Sequence, residues 1–126
     1  MNKLSHQLAW FIFVGICAAL THWLVVVALV ANEYLTPLSA NLAGWLIAFL
    51  VSFTGHYQLT FRYQRRGVGK AIGRFFLLSA GGFAINEASY AWLLSQTTLP
   101  YELLLGMILV GVAGLTFLVS RLWAFA

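Results

Sequence analysis

The stretch that decides the fold is residues 51–74, VSFTGHYQLTFRYQRRGVGKAIGR. It begins inside one apolar run and ends where another begins. Between them stand Arg62, Arg65, Arg66, Lys70 and Arg74, which are five of the chain's seven Lys and Arg residues, with no acid among them. In a soluble protein such a cluster would suggest a nucleic-acid patch. Here the flanking runs are too long and too lightly charged for that reading. A short basic loop between two apolar spans is a cytoplasmic membrane hairpin under the positive-inside bias. Each cation near an anionic leaflet contributes about 1 kcal/mol, so the loop is expected to be held at the inner surface.

Composition agrees. Of 126 residues, 62% are hydrophobic and 8% charged, where average soluble chains carry about 25% charged residues. That leaves too little polar surface to coat a soluble domain, so an integral membrane protein with one domain, residues 1–126, is expected. The net charge of +4 is gathered at one membrane face and offers no grip on nucleic acid. The single cysteine, Cys17, excludes an intrachain disulfide and a cysteine metal cluster. The first twenty residues resemble a signal peptide superficially. However, the apolar run continues past Cys17 to about residue 31, and Ile16 occupies the place where a lipoprotein signal needs a small residue. The segment is read as a retained first span.

A helix crossing the hydrocarbon core needs about 20 mostly apolar residues. Four runs qualify, at about residues 8–31, 38–61, 74–94 and 102–124. They are continuous and lack period-two alternation, so the expected fold class is all-α, a polytopic protein with four transmembrane helices. Asn32, Thr36 and Pro37 break the chain between the first two runs, and Thr97, Thr98 and Pro100 between the last two. With four spans all seven cations fall on one side, while the opposite loops carry only Glu33 and Glu102. Both termini are therefore expected in the cytoplasm. Trp10, Tyr34, Tyr63, Tyr101 and Trp123 lie near the expected interfaces, where aromatic rings anchor helices.

A faint internal repeat appears when the chain is shifted by 64 positions. Ser52-Phe53 then falls on Thr116-Phe117, His56-Tyr57 on Ser120-Arg121, Phe11 on Phe75 and His22 on Asn86. The pattern predicts two copies of a two-helix hairpin. Two helices return the chain to the same side, so the copies would be parallel.

Ionisable groups inside membrane spans are functional candidates by default. Glu87 lies 13 residues after Arg74, roughly 20 Å along a helix and past the midplane. Protonation, or pairing with His22 or His56, would make it tolerable there. It reads as a proton-coupling or sugar-binding carboxylate, or as half of a structural bond with Asn86. His22 lies deep in the first span, as a ligand or a helix-contact group. His56 stands near the inner end of the second span. Arg121, near the inner end of the fourth, would snorkel to headgroups or hold phosphate, for which a guanidinium is well shaped. With Arg62 and Arg74 at helix ends it would complete a cationic ring. Arg65, Arg66 and Lys70 read as orientation signals, and Asn41, Ser52 and Thr54 as helix-contact residues. Gly81, Gly82, Gly106, Gly111 and Gly114 suggest close helix packing, within the chain or between chains. With no paired-carboxylate motif, no metal-spaced His and Cys and only three acids, catalysis, a metal site and a cofactor are not expected.

At the ends of spans two and four, SFTGHYQLTFR (residues 52–62) and TFLVSRLWAF (residues 116–125) resemble the paired signatures of GtrA-like membrane proteins. Arg74-Phe75 at the start of span three, the size, the four spans and the basic middle loop are also similar. The chain departs where relatives often carry Asn before the basic residue, with His56 and Ser120 in those places, and Tyr57 stands where a basic residue is common. The resemblance implies transport of a polyprenyl-phosphate-linked sugar across the inner membrane, for glycosylation of surface polysaccharides such as O-antigen. Arg121, Arg62, Arg74, His56 and Tyr57 would then meet the lipid phosphate. His22, Asn86 and Glu87 would line the sugar or proton path. A membrane glycosyltransferase is the expected partner, together with membrane lipids and a second, parallel copy of the chain. Two rivals remain. A small proton-coupled drug exporter would depend on an acid in span one, and span one has none. A non-transporting anchor would dock a transferase through the basic loop.

Overall fold

In lipid, backbone amides find partners only in one another, so each apolar run folds as one long helix. The computed structural model describes residues 3–62, 68–119 and 122–123. Among them the elements are α1 (Lys3–Ala31), α2 (Pro37–Gly55), a π-helical segment (His56–Thr60), α3 (Val68–Gln96) and α4 (Tyr101–Val119), with no strand. The fold is the expected all-α one. Two helices begin earlier than their apolar runs: α1 at Lys3 and α3 at Val68, so that Lys70 and Arg74 stand on α3. Ser5–Ala31 and Pro37–Thr60 are long and apolar enough to cross a membrane, and Tyr101–Thr116 is a shorter apolar helix.

The ends of the helices follow from local chemistry. Past α1, Glu33 takes a left-handed conformation (φ 60°). This lets Tyr34 N–H donate to Leu29 O (2.9 Å) and Glu33 N–H to Val30 O (3.0 Å), a Schellman closure. Thr36 caps α2, its hydroxyl accepting from Ser39 N–H at 3.4 Å, with Pro37 in the first turn. At the other end of α2, Phe61 N–H reaches back five residues to His56 O (2.8 Å). That bond marks the π-helical winding, which re-aims His56 and Thr60 into the bundle, where both are buried.

The most extensive pairings are α1 with α2 and α3 with α4, as two hairpins require. The α1–α2 contact is tightest at Gly44 and Gly55. A Cβ on Gly44 would lie 2.7 Å from the His22 ring and 3.0 Å from the His22 carbonyl, and one on Gly55 would lie 2.6 Å from Val14. The glycines expected to mark close packing behave otherwise. Gly81, Gly106, Gly111 and Gly114 have no atom within 4 Å of where a Cβ would sit, and Gly82 makes only ordinary contact with Val112. These glycines are therefore not points of close helix contact within the chain.

At the end opposite the basic loop, all four helices share a core of Val26, Ala40, Tyr90, Leu104, Leu105 and Ile108. Two bonds tie that end: Trp23 Nε1–H donates to Glu102 O (3.0 Å) and Tyr90 O–H to Tyr101 O (3.2 Å). Between α2 and α3, rings at i, i+4 spacing (Trp45, Phe49, Phe53, Tyr57) form a ladder facing Phe75, Phe76 and Phe83. Toward the basic end α4 stands apart, with Val110 and Leu118 exposed.

Candidate functional site

Polar side chains in apolar helices must find each other, because lipid offers no alternative partner. Here they meet at Asn41. His22 Nε2–H donates to Asn41 Oδ1 (2.6 Å), and Asn41 Nδ2 donates to Asn86 Oδ1 (2.8 Å) and to Glu87 Oε1 (3.4 Å). The asparagine turns its oxygen to His22, which makes Nε2 the protonated ring nitrogen and leaves Nδ1 an acceptor. Asn41, His22 and Asn86 are buried, while Glu87 is half-buried at the edge of the group.

Three of these four residues were expected from the sequence to act together, and the structure brings them together. The direct pairing of Glu87 with His22 or His56 does not occur; Asn41 stands between Glu87 and His22. Asn41, expected as a helix-contact residue, is the hub on which three helices converge. An uncharged amide amid an apolar run is as costly to leave unpaired as any other polar group there, and that signal was available.

A second polar position lies nearer the basic end. The His56 ring stacks on Phe11, with centroids 4.5 Å apart and planes at 19°, and Phe75 meets it edge-on at 5.8 Å. His56 Nδ1 and Thr60 Oγ1 are bonded at 2.9 Å. His56, expected at the lipid phosphate, is therefore buried among aromatic rings. Phe11 and His22 are eleven positions apart on α1, so the two polar levels are about 16 Å apart along the bundle.

Between the levels lies a small, partly open cavity of about 140 Å³ at mid-bundle. All four helices wall it. His22 and Asn86 stand at one end and His56 at the other, with Ser52, Ser79 and Thr116 between. Trp45 also faces it, its Nε1–H donating to Ser79 Oγ (2.8 Å). Glu87 is not part of the wall. Ser79, Thr116 and Trp45 were not singled out by the sequence reading. Their types are common in helix contacts, and only the rotation of each helix brings them to the cavity.

The cationic ring is only partly described. Arg62 is exposed just past the π-helical segment. Arg74 bonds through Nη1 to Trp123 O (3.4 Å), with its guanidinium over the indole at 5.6 Å. Tyr57 stacks on Phe53 at 5.7 Å. Arg121, Arg65 and Arg66 lie outside the described residues. Among the described residues no three His, Cys, Asp or Glu side chains gather as a metal site would require.

No curated protein and no solved structure matches the chain. The GtrA/DPMS transmembrane domain matches residues 10–125, a stretch that includes the polar hub, the π-helical segment, most of α1 and the whole of α2, α3 and α4. This is a membrane protein, and the chain belongs to the GtrA/DPMS transmembrane-domain family.

Proposed function

We propose that the chain carries a polyprenyl-phosphate-linked monosaccharide across the bacterial inner membrane, where the sugar is used to glycosylate surface polysaccharide. The observation that carries this reading is the cavity at mid-bundle, with polar groups at two levels and apolar helices around it. A family whose resemblance implies movement of lipid-linked sugars supports the choice of cargo. In this reading all four helices cross the membrane, and both termini face the cytoplasm with the basic loop. The protein moves its cargo without making or breaking a covalent bond.

At about 140 Å³ the cavity is smaller than the 300 Å³ or more of an ordinary ligand pocket. The cavity is thus too narrow for a sugar headgroup in this arrangement, and the helices must part to admit one. Arg62, Arg74 and Arg121 would gather the phosphate at the basic end, with Tyr57 beside them. Arg74 would exchange its contact with the Trp123 carbonyl for the phosphate. His56 would part from Phe11 as the sugar passes. His22 and Asn86 would then bond sugar hydroxyls, and Glu87 would hold Asn41 in orientation. A membrane glycosyltransferase would load the carrier on the cytoplasmic side. The one-sided charge favours a parallel pair of chains over an antiparallel one.

The test uses purified protein in proteoliposomes with a fluorescent polyprenyl-phosphate sugar. The rate at which the label becomes inaccessible to an impermeant quencher should exceed that of empty liposomes. It should fall at least tenfold in Arg121→Ala and in Asn86→Leu. Wild-type rates no faster than empty liposomes, with lipid binding intact, would sink translocation and favour an anchor for a transferase. Unchanged transport in Arg121→Ala combined with Glu87→Gln would show the assigned path to be wrong.

A further inference from the structure

The mid-bundle cavity borders a second hollow on the α1–α4 side. An apolar trough enclosing about 740 Å³ runs along the bundle surface between α1 and α4, from Leu8 to Trp23. It shares Phe11, Gly15, Ala19, Leu109 and Ala113 with the cavity. Those five residues border both hollows, the cavity that holds the buried polar groups on one side and the apolar trough on the other. Past Trp23 the trough continues as a second stretch of about 670 Å³, ending at Pro100 and Glu102 and sharing Trp23, Gly106 and Val110 with the first. Together they follow the bundle from the basic end to the far end.

The geometry points to this trough as the binding site for the isoprenoid chain of the carrier lipid, with the shared layer as a side door through which the headgroup enters the cavity while the chain stays outside. The inference rests on the translocation reading for the identity of its ligand. Three observations carry it.

First, the trough is not filled from within the chain. Gly15, Gly106 and Gly114 on its walls have no atom within 4 Å of a would-be Cβ. Second, the layer between trough and cavity is thin, and its slimmest members, Gly15 and Ala19, stand one helical turn apart, with recesses about 6 Å apart. Recesses left by missing side chains suit a methyl-branched chain better than a straight acyl chain, because the branches fill them. Third, the cavity behind the layer presents hydrogen-bonding atoms with no protein partner among the described residues. His22 Nδ1 and Asn86 Nδ2 belong to side chains at least 95% buried, and only their other polar atoms are bonded. Polar space joined sideways to an apolar trough matches a molecule with a hydroxylated head and a long hydrocarbon tail.

A benzophenone-tagged polyprenyl phosphate, incubated with the wild-type protein in phosphatidylethanolamine–phosphatidylglycerol vesicles and photolysed, reports the site directly. Adducts mapped by mass spectrometry should fall on trough residues such as Ile16, Leu20 and Val110. Excess untagged polyprenyl phosphate should suppress them, and excess phosphatidylglycerol should not. In the transport assay Ala19→Leu and Gly114→Leu should slow movement at least tenfold, whereas Gly111→Leu, off the trough, should slow it less than twofold. Adducts spread around the bundle, or displaced equally by phosphatidylglycerol, would overturn the assignment. So would disulfide pairing of two chains through cysteines placed at Val110 and Gly114, because the trough would then hold a second copy. If wild type moves no lipid yet adducts map to the trough, the binding site stands and the translocation reading falls. Transport with adducts elsewhere removes the trough alone.

Discussion

His22 and Asn86 are held by the two ends of one amide: His22 donates to the Asn41 oxygen at 2.6 Å, and Asn86 accepts from the Asn41 nitrogen at 2.8 Å. They are also the residues that superpose when the sequence is shifted by 64 positions. The other superposed pair, Phe11 and Phe75, likewise flanks a single residue of the second helical stretch, His56. Corresponding residues of two hairpins thus close on the second helical stretch, and its hub Asn41 has no polar counterpart, Leu105 taking the equivalent place in α4.

Asn41→Leu removes the hub and leaves His22 Nε2 and Asn86 Oδ1 buried without partners. Hydrogen bonds between membrane helices average about 0.6 kcal/mol and reach about 1.7. Losing two here should lower stability by about 1–3 kcal/mol, read as a lower midpoint in detergent unfolding. Asn41→Asp should fall between wild type and Asn41→Leu. A midpoint in Asn41→Leu equal to wild type would show that the relay contributes nothing to the fold.

Gly44→Ala should destabilise although alanine is the better helix former. Its Cβ would sit 3.0 Å from the His22 carbonyl, which belongs to backbone and cannot swing aside. Overpacking of this kind costs about 1–3 kcal/mol. Gly111→Ala, with nothing within 4 Å, should be neutral or slightly stabilising. Thermal unfolding in one detergent compares the two, and an equal shift in both would contradict the α1–α2 geometry.

The Phe11–His56 stack should be separable from general packing. Such ring pairs contribute about 0.5–1.5 kcal/mol beyond their burial. A double-mutant cycle of Phe11→Leu and His56→Leu should give a coupling energy in that range. Strict additivity would mean the rings merely lie side by side.

Orientation is open to a labelling test. Cys17 is the only cysteine, so Cys17→Ser gives a clean background. In intact cells a cysteine at Glu33 should react with an impermeant maleimide. One at Arg65 should react only after the membrane is opened. The reverse pattern would overturn the cytoplasmic placement of the basic loop.

The helices were legible in the sequence because long apolar runs in lipid have one backbone solution, and their ends were legible because Thr36, Pro37 and Pro100 act locally. The contacts between helices were not. In water, an amphipathic stripe shows which face of a helix turns inward. In lipid both faces are apolar, so nothing in the spacing distinguished Gly44, clamped on His22, from Gly111, which touches nothing. The polar residues were the exception. Lipid punishes an unpaired amide, so His22, Asn86 and Glu87 could be grouped in advance, while Asn41 needed the same reasoning extended to an uncharged side chain. The π-helical winding at His56 left no local signal and depends on tertiary packing against Phe11.

The closeness of α1 to α2 at Gly44 and Gly55 has a mechanical consequence. Two points of near-backbone contact make the first hairpin a stiff plank. Helix α3 is held to it along its length, by the shared core at the far end and by the contacts of Phe83, Phe76 and Phe75 with Trp45, Phe49 and His56, whereas α4 meets α1 through that core and the Trp23–Glu102 bond at the far end. Helix α4 is therefore the lever, with its fulcrum at the far end. A swing of that lever widens the gap between α1 and α4 most where the arginines stand, and least where Trp23 holds Glu102.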